Sequence, residues 1–401
     1  MHFAITHIVF GMQLQSFLFY KGFLFLIVFL SLPLPHGNIY PFLALMALCL
    51  YQFKKQDLYQ KTINPMTIIF VAWCALSTLW AVNVSKAIPM YCKVMAIALG
   101  GFIWWNSYTK FSLKKRQQLE LVVSLAGALL AACLFIFVVN VQLGGSLFHV
   151  IDRYISQALI HGCVACGLSI WLSVKHFKKW IQVCILILAF WTLQHGTSDA
   201  AALGIFLGAS ALVMHKFLPR FLQAMFIYGM PTVWISFPFI FRLFSTEQYV
   251  QWAAFLDPSY THRLFIWHSI TKQIFDRFWA GFGIGSSRYR FLSVQGEDII
   301  IMNGHEKLVL FSPENCLHPH NFMLQIWLEL GAVGVMLACL TWVTYWNKHY
   351  EKSNSYTIAF WGSALCVAAT GISIWQSWWL ILIVVLAPVY KLSNFTRFNP
   401  N

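Results

Sequence analysis

"LHPHNFMLQIWLELGAVG", residues Leu317 to Gly334, opens with two histidines around a proline and runs straight into an apolar segment carrying one glutamate and two glycines. The apolar character continues to Trp346, and a run of roughly 17–25 such residues is what a helix needs to cross a ~30 Å hydrocarbon core. The rest of the chain is of the same kind. Hydrophobic residues make up 59% of the 401, charged residues only 10%, and the mean hydropathy is +0.67. These values lie outside soluble globular usage, so the sequence reads as an integral membrane protein.

Working outward from that segment, apolar runs recur at about 16–33, 38–53, 64–82, 86–105, 119–141, 157–174, 178–194, 198–215, 223–244, 321–346, 355–372 and 374–390. The expectation is an all-α polytopic membrane protein of about twelve transmembrane helices, one integral membrane domain over residues 1–401, with no separate soluble domain. Lys54/Lys55/Lys61, Lys110/Lys114/Lys115/Arg116, Lys175/Lys178/Lys179, Lys216/Arg220, Lys348/Lys352 and Lys391/Arg397 fall in alternate gaps, which the positive-inside trend assigns to the cytoplasm. Both termini then lie in the cytoplasm. No small-residue cleavage site follows the first apolar run, so no removed signal peptide is expected. The net charge of +14 is accounted for by loops facing anionic headgroups and gives no reason to expect nucleic acid.

On the opposite side most gaps are a few residues long, but 245–319 forms one large polar loop, expected to be extracytoplasmic. It holds Glu247, Asp257, Asp276, Glu297, Asp298, Glu306 and Glu314 together with Arg263, Lys272, Arg277, Arg288, Arg290 and Lys307. Long ordered loops on a rigid scaffold commonly carry function. Within it, "HRLFIWHSITKQIFDRFW" spaces Leu264, Trp267, Ile270, Ile274 and Phe278 as an amphipathic helix along the membrane surface. "GFGIGSSRYR" follows as a glycine-rich turn. Its G-x-G-x-G spacing is not the dinucleotide fingerprint. "CVAC" (Cys163–Cys166) sits inside a span and reads as core packing.

His320 and Asn321 stand at the mouth of the tenth span. A helix N-terminus favours an anion and the neutral form of a neighbouring histidine, and a neutral imidazole can accept a proton. The plainer alternative is a histidine that merely sits at a helix end. Asn321, Gln325 and Glu329 are four apart and share one helix face, and Gly331 and Gly334 allow another helix to approach closely. Glu329 lies deep enough to need an internal partner. Lys86, Lys93, Arg153, Arg242, Arg263, Arg288 and Arg290 gather at the same outer face, which suits an anionic lipid or phosphate. A metal site built from His318, His320, His305, His262 and His268 is disfavoured, because Pro319 separates two of them and no H-E-x-x-H or aspartate cluster accompanies them.

"HNFMLQIWLELGAVG" resembles the H-N/S/Q, nine residues, G-x-x-G pattern of bacterial O-antigen ligases, complete from His320 to Gly334. "LSTLWAVNVSKAI" (Leu76–Ile88), "RLFIW" (Arg263–Trp267) and "AGFGIG" are similar to that family's outer-edge tryptophan, loop arginine and glycine-turn motifs, in the same order. The resemblance implies a glycosyltransferase of the bacterial inner membrane working in lipopolysaccharide assembly. Its active site faces the periplasm, where it moves a glycan from undecaprenyl diphosphate to the lipid A core oligosaccharide, with inversion and with neither metal nor cofactor. It also implies His320 as base, with Arg263 and Arg288 or Arg290 on the diphosphate. "HGTSDAAALG" (His195–Gly204) departs from the family by placing Asp199 where an arginine is expected, so Arg153 or Lys93 is expected to take over its phosphate contact and pair with Asp199. An O-antigen polymerase or a protein O-oligosaccharyltransferase would share most of these features. The short sequence after the last span favours the ligase over the protein-directed relatives. A lipid-linked glycan flippase would instead place its ionisable groups near the midplane, not at the outer face.

Overall fold

The computed structural model describes residues 17–30, 37–52, 64–142, 153–174, 178–195, 198–245, 248–249, 251, 255, 258–293, 299–303, 306–311 and 318–392. Among them the chain runs through α1 (Phe17–Phe29), α2 (Ile39–Gln52), α3 (Pro65–Ser77), α4 (Val84–Lys110), α5 (Leu113–Gln142), α6 (Arg153–Val174) and α7 (Lys179–Gln194). Then come α8 (Asp199–Phe217), α9 (Pro219–Arg242), α10 (Pro258–Ile274), α11 (Ser287–Ser293), α12 (Phe322–His349), α13 (Ser355–Thr370) and α14 (Ser377–Leu392). Each of the twelve expected spans coincides with one apolar helix. Five of them, α4, α5, α8, α9 and α12, are long and apolar enough to cross a membrane. Outward faces stay apolar, as with Leu121, Leu125 and Leu129 along α5 and Val183 and Ile187 on α7. Helices that hide their own backbone groups and show apolar side chains outward suit a lipid surround. The fold is that of a helical membrane protein.

Local chemistry explains where these helices begin. Asparagine or serine stands before α3, α4, α8, α12 and α13, and in each case its side-chain oxygen accepts a backbone N–H of the first turn. Two tight seams organise the bundle. In one, Gly204 and Gly208 let α8 press against α13, where Ser363 donates to the Gly204 carbonyl at 2.7 Å and accepts Trp171 Nε1 at 3.0 Å. In the other, Gly101 admits Val384, and Trp104 donates to the Val385 carbonyl at 3.1 Å, joining α4 to α14.

The segment expected to be a surface helix is α10, continued by a 3-10 turn at Phe275–Arg277. Its buried face is wider than the stripe read from the sequence. Ile270 and Ile274 are buried as expected, but so are Phe265, Ile266 and Thr271, because α10 packs against both α9 and α12. The helical fold also has an addition. Ile299–Asn303 (β1) and Glu306–Phe311 (β2) pair antiparallel, with Asn303 opposite Glu306. Aliphatic runs on either side of an Asn-Gly pair carry the sequence signal for such a hairpin.

Candidate active site

The apolar segment that opens at Asn321 does not form one straight helix. Gly331 has φ 66° and ψ −170°, a left-handed backbone inside α12. The break strands polar backbone groups, and the glycine turn before α11 satisfies them. Phe282 N–H donates to the Leu328 carbonyl at 2.9 Å and Gly283 N–H to the Glu329 carbonyl at 2.8 Å. In return Ala332 N–H reaches the Phe278 carbonyl at 2.8 Å and Val333 N–H the Trp279 carbonyl at 3.2 Å. Such an approach of backbone to backbone leaves no room for a side chain. A Cβ on Gly331 would lie 2.4 Å from the Trp279 oxygen, and one on Gly281 2.5 Å from the Glu329 carbonyl. Gly331 was expected to admit another helix, but it admits this turn. Gly334 does face a neighbouring helix, α3, through Trp73, whose indole donates to the Leu330 carbonyl at 3.0 Å.

The tryptophan motif closes the turn from its other side. Ser77 Oγ accepts Ile284 N–H at 3.2 Å, Val82 N–H donates to the Phe282 carbonyl at 3.2 Å, and Trp80 donates to the Ala280 carbonyl at 3.3 Å. Three motifs far apart in sequence thus form one packed unit.

Glu329 is fully buried, and its partners turn out to be neutral donors. Its carboxyl group accepts from Gly285 N–H at 2.7 Å, Ser287 N–H at 3.3 Å, Ser287 Oγ at 2.5 Å, Gln325 Nε2 at 3.1 Å and Trp375 Nε1 at 2.6 Å. Gln325, one turn above, also donates to Ser373 Oγ at 3.0 Å and accepts Ile374 N–H at 3.1 Å. The pair therefore ties α12 both to the start of α11 and to the connector between α13 and α14. Ser373, Trp375 and Gly371 of that connector were missed by the sequence reading. The available signal was a short gap with glycine, serine and tryptophan.

His320 has φ 54°, the one non-glycine residue with positive φ among those described. Its Nδ1 lies 3.1 Å from the Gly371 carbonyl. A carbonyl only accepts, so the proton sits on Nδ1 and Nε2 carries the lone pair, which makes Nε2 the basic nitrogen. His318 lies beside it with ring centroids 4.1 Å apart and ring planes tilted by 48°, and His318 Nδ1 accepts the His320 backbone N–H at 3.2 Å. Burial, and then the nearby His320, push His318 down to about 3, so it stays neutral. Asn321 caps α12 by accepting Leu324 N–H at 3.1 Å, while its buried Nδ2 has no partner among the described residues.

The basic residues divide. Arg263 lies on α10 one turn before Trp267, whose indole donates to the Pro319 carbonyl at 2.9 Å, so Arg263 is on the helix that braces the histidine loop. Arg288, on α11 directly after Ser287, is exposed. Arg290 is committed elsewhere: it donates to Gln273 at 3.1 Å, stands 3.9 Å from Asp276 and lies over the Phe282 ring at 4.1 Å. Lys93 is exposed on α4. The side chain of Arg153 lies outside the described residues. Asp199 forms no ion pair with Lys93 among the described residues; it opens α8 behind its cap Ser198, where a negative charge suits the helix end. The next residue, Ala200, abuts Gly371, since a Cβ there would lie 2.9 Å from that of Ala200, so the start of α8 stands behind the carbonyl that holds His320.

Residues 155–339, from α6 into α12, match the family model described as O-antigen ligase. Over this stretch the chain is similar to that family. The stretch contains Arg263, the glycine turn, His320, Gly331 and Gly334, whereas the tryptophan motif and the Gly371–Gln376 connector lie beyond it. A wider similarity takes them in part. A protein of Rickettsia conorii named "Putative polysaccharide ligase" is 26% identical over 326 residues, 79% of this chain and 76% of its own. Proteins of the same name from Rickettsia felis and Rickettsia bellii are 24% and 26% identical over 322 residues, 78% of this chain and 76% of each relative.

Proposed function

We propose that the protein is an O-antigen ligase: it transfers a glycan from undecaprenyl diphosphate to the lipid A core oligosaccharide at the periplasmic face of the inner membrane. The observation that carries the reading is the 3.1 Å contact of His320 Nδ1 with the Gly371 carbonyl, which assigns the proton to Nδ1 and leaves Nε2 as the base, inside the segment similar to O-antigen ligases. Nε2 takes the proton of an acceptor hydroxyl as its oxygen attacks the anomeric carbon. The bond from that carbon to the diphosphate oxygen breaks, and its electron pair leaves with the diphosphate. Arg263 and the exposed Arg288 stabilise the growing charge. The diphosphate departs without help from a general acid, and attack from the opposite face inverts the anomeric carbon. Because the positive charge comes from arginine, the reaction proceeds without metal or cofactor. In this arrangement twelve helices cross the membrane, the loop 245–319 is periplasmic and both termini are cytoplasmic. Arg153 and Lys93 serve as secondary contacts to the donor.

The experiment uses the purified chain with undecaprenyl diphosphate-linked glycan and lipid A core, with chelator present. His320→Ala should lower turnover by about 10²–10⁴-fold while donor binding persists. Arg263→Ala should weaken both, and Arg263→Lys should restore only part, because a point charge does not reproduce a two-pronged contact. Near-normal ligation by His320→Ala would return this histidine to a plain helix-end residue.

A further inference from the structure

His320 is held in a conformation that its own chemistry does not favour. A left-handed backbone is unfavourable for a non-glycine residue, so its surroundings must compensate. Three contacts do so, all in the run His318-Pro319-His320. The His320 N–H is taken by His318 Nδ1 at 3.2 Å, the rings lie against each other at 4.1 Å, and Trp267 holds the intervening Pro319 carbonyl at 2.9 Å. Proline supplies a preset φ and biases the residue before it away from the helical region, which suits a turn in which the histidine at 318 meets the residue two places on.

We propose that His318 is a positioning residue for His320, and that its acceptor nitrogen sets the turn that delivers the His320 imidazole to the Gly371 carbonyl. The inference rests on the reading of His320 as the base. His318 is not itself the proton acceptor in this arrangement: its Nδ1 is occupied by a backbone N–H, and its lowered basicity fits it for a fixed acceptor. The turn matters because the tautomer of His320 depends on reaching Gly371. Without that contact the proton distributes between the two nitrogens, and the ring loses its aim.

The test compares three variants with wild type and with His320→Ala, with acceptor concentration varied. His318→Asn keeps an acceptor oxygen near the place of Nδ1 but removes the ring. His318→Phe keeps a ring and removes the acceptor. Pro319→Gly keeps both imidazoles and loosens the turn. His318→Phe should lose about 10–100-fold in kcat, the scale of a misplacement near 1 Å, with acceptor KM and donor binding within about threefold of wild type. His318→Asn should recover most of that loss, and Pro319→Gly should lower kcat without moving KM. Equal losses in Asn and Phe would overturn the proposal, as would wild-type kcat in Phe. If His318→Phe does not fold, wild-type kcat in Pro319→Gly, or a loss in Asn as deep as that of His320→Ala, overturns it alone. Activity in His320→Ala, or none in wild type, would instead sink the parent reading, so the two failures are distinguishable.

Discussion

Replacing Gly331 with alanine adds one methyl group at the point where α12 breaks and the glycine turn docks. The backbone there (φ 66°, ψ −170°) belongs to glycine, and holding another residue in it costs of order 1–3 kcal/mol. The new Cβ would also stand 2.4 Å from the Trp279 oxygen and 2.6 Å from Gly281 N, backbone atoms that no side-chain rotation can move. Overpacking of that kind adds about 1–3 kcal/mol. The alternative is for the turn to lift away, which breaks the four backbone hydrogen bonds between 278–283 and 328–333, worth about 1 kcal/mol each. Either route loses roughly 3–5 kcal/mol, a large part of the marginal stability of a folded chain. The control is Gly22→Ala: the same chemical change inside α1, where a Cβ would meet nothing within 4 Å. Apparent melting in detergent, followed by monodispersity after heating, should drop clearly for Gly331→Ala and hardly at all for Gly22→Ala. Ligation by Gly331→Ala should fall with it, because the turn carries α11 and Arg288. Equal melting and equal activity in the two variants would refute the account of the broken helix.

Glu329→Gln should cost at least about 2 kcal/mol in the same assay, because one oxygen becomes an amide that faces donors and leaves two or more of them unpaired at about 1–3 kcal/mol each; unchanged melting would remove Glu329 from the centre of the site. Stability should also fall as pH drops from about 6.5 towards 3, since His318 stays neutral down to about 3 when folded but takes a proton near 6.5 when unfolded. Over that window the unfolded chain binds the extra proton, for a slope of up to about 1.4 kcal/mol per pH unit that is absent above it, and His318→Asn should flatten the slope. Cysteine accessibility should place positions 115, 178 and 348 in the cytoplasm and the 245–319 loop outside; a cytoplasmic loop would end the ligase reading.

Twelve apolar helices were legible because each is a contiguous run, and hydropathy needs nothing but neighbours in sequence. The His320 and Gly331 positions were legible for a similar reason, as a fixed spacing within one segment. What connects them was not. The partners of Glu329 come from Gly285, Ser287, Gln325 and Trp375, and only Gln325 is near it in the chain. A depth argument says that a buried carboxyl group needs partners, but it cannot say that they are backbone and indole N–H groups in place of a cation. Arg290 shows the same limit: its charge makes it a candidate for phosphate, but nothing in the local sequence says that it also meets Gln273, Asp276 and Phe282. The paired strands 299–303 and 306–311 are marked in sequence only by two short aliphatic runs around an Asn-Gly pair, a signal that a loop rich in charge does not set apart.

The geometry also explains why a glutamate rather than a lysine or an apolar residue serves at 329. The glycine turn and the 371–376 connector both approach α12 with donors forward: Gly285 and Ser287 from one, Trp375 from the other. A cation would repel them and an apolar side chain would leave them unpaired at about 1–3 kcal/mol each. Two carboxyl oxygens can accept from both sides at once. The same connector presents the Gly371 carbonyl to His320, and the same turn leads into α11 with Arg288. The proposed base and one candidate clamp are therefore anchored, through separate arms, to one buried group on α12. A change at Glu329 displaces both together, whereas a change at His318 should disturb the base alone, and that difference separates the belt that sets the site from the turn that aims it.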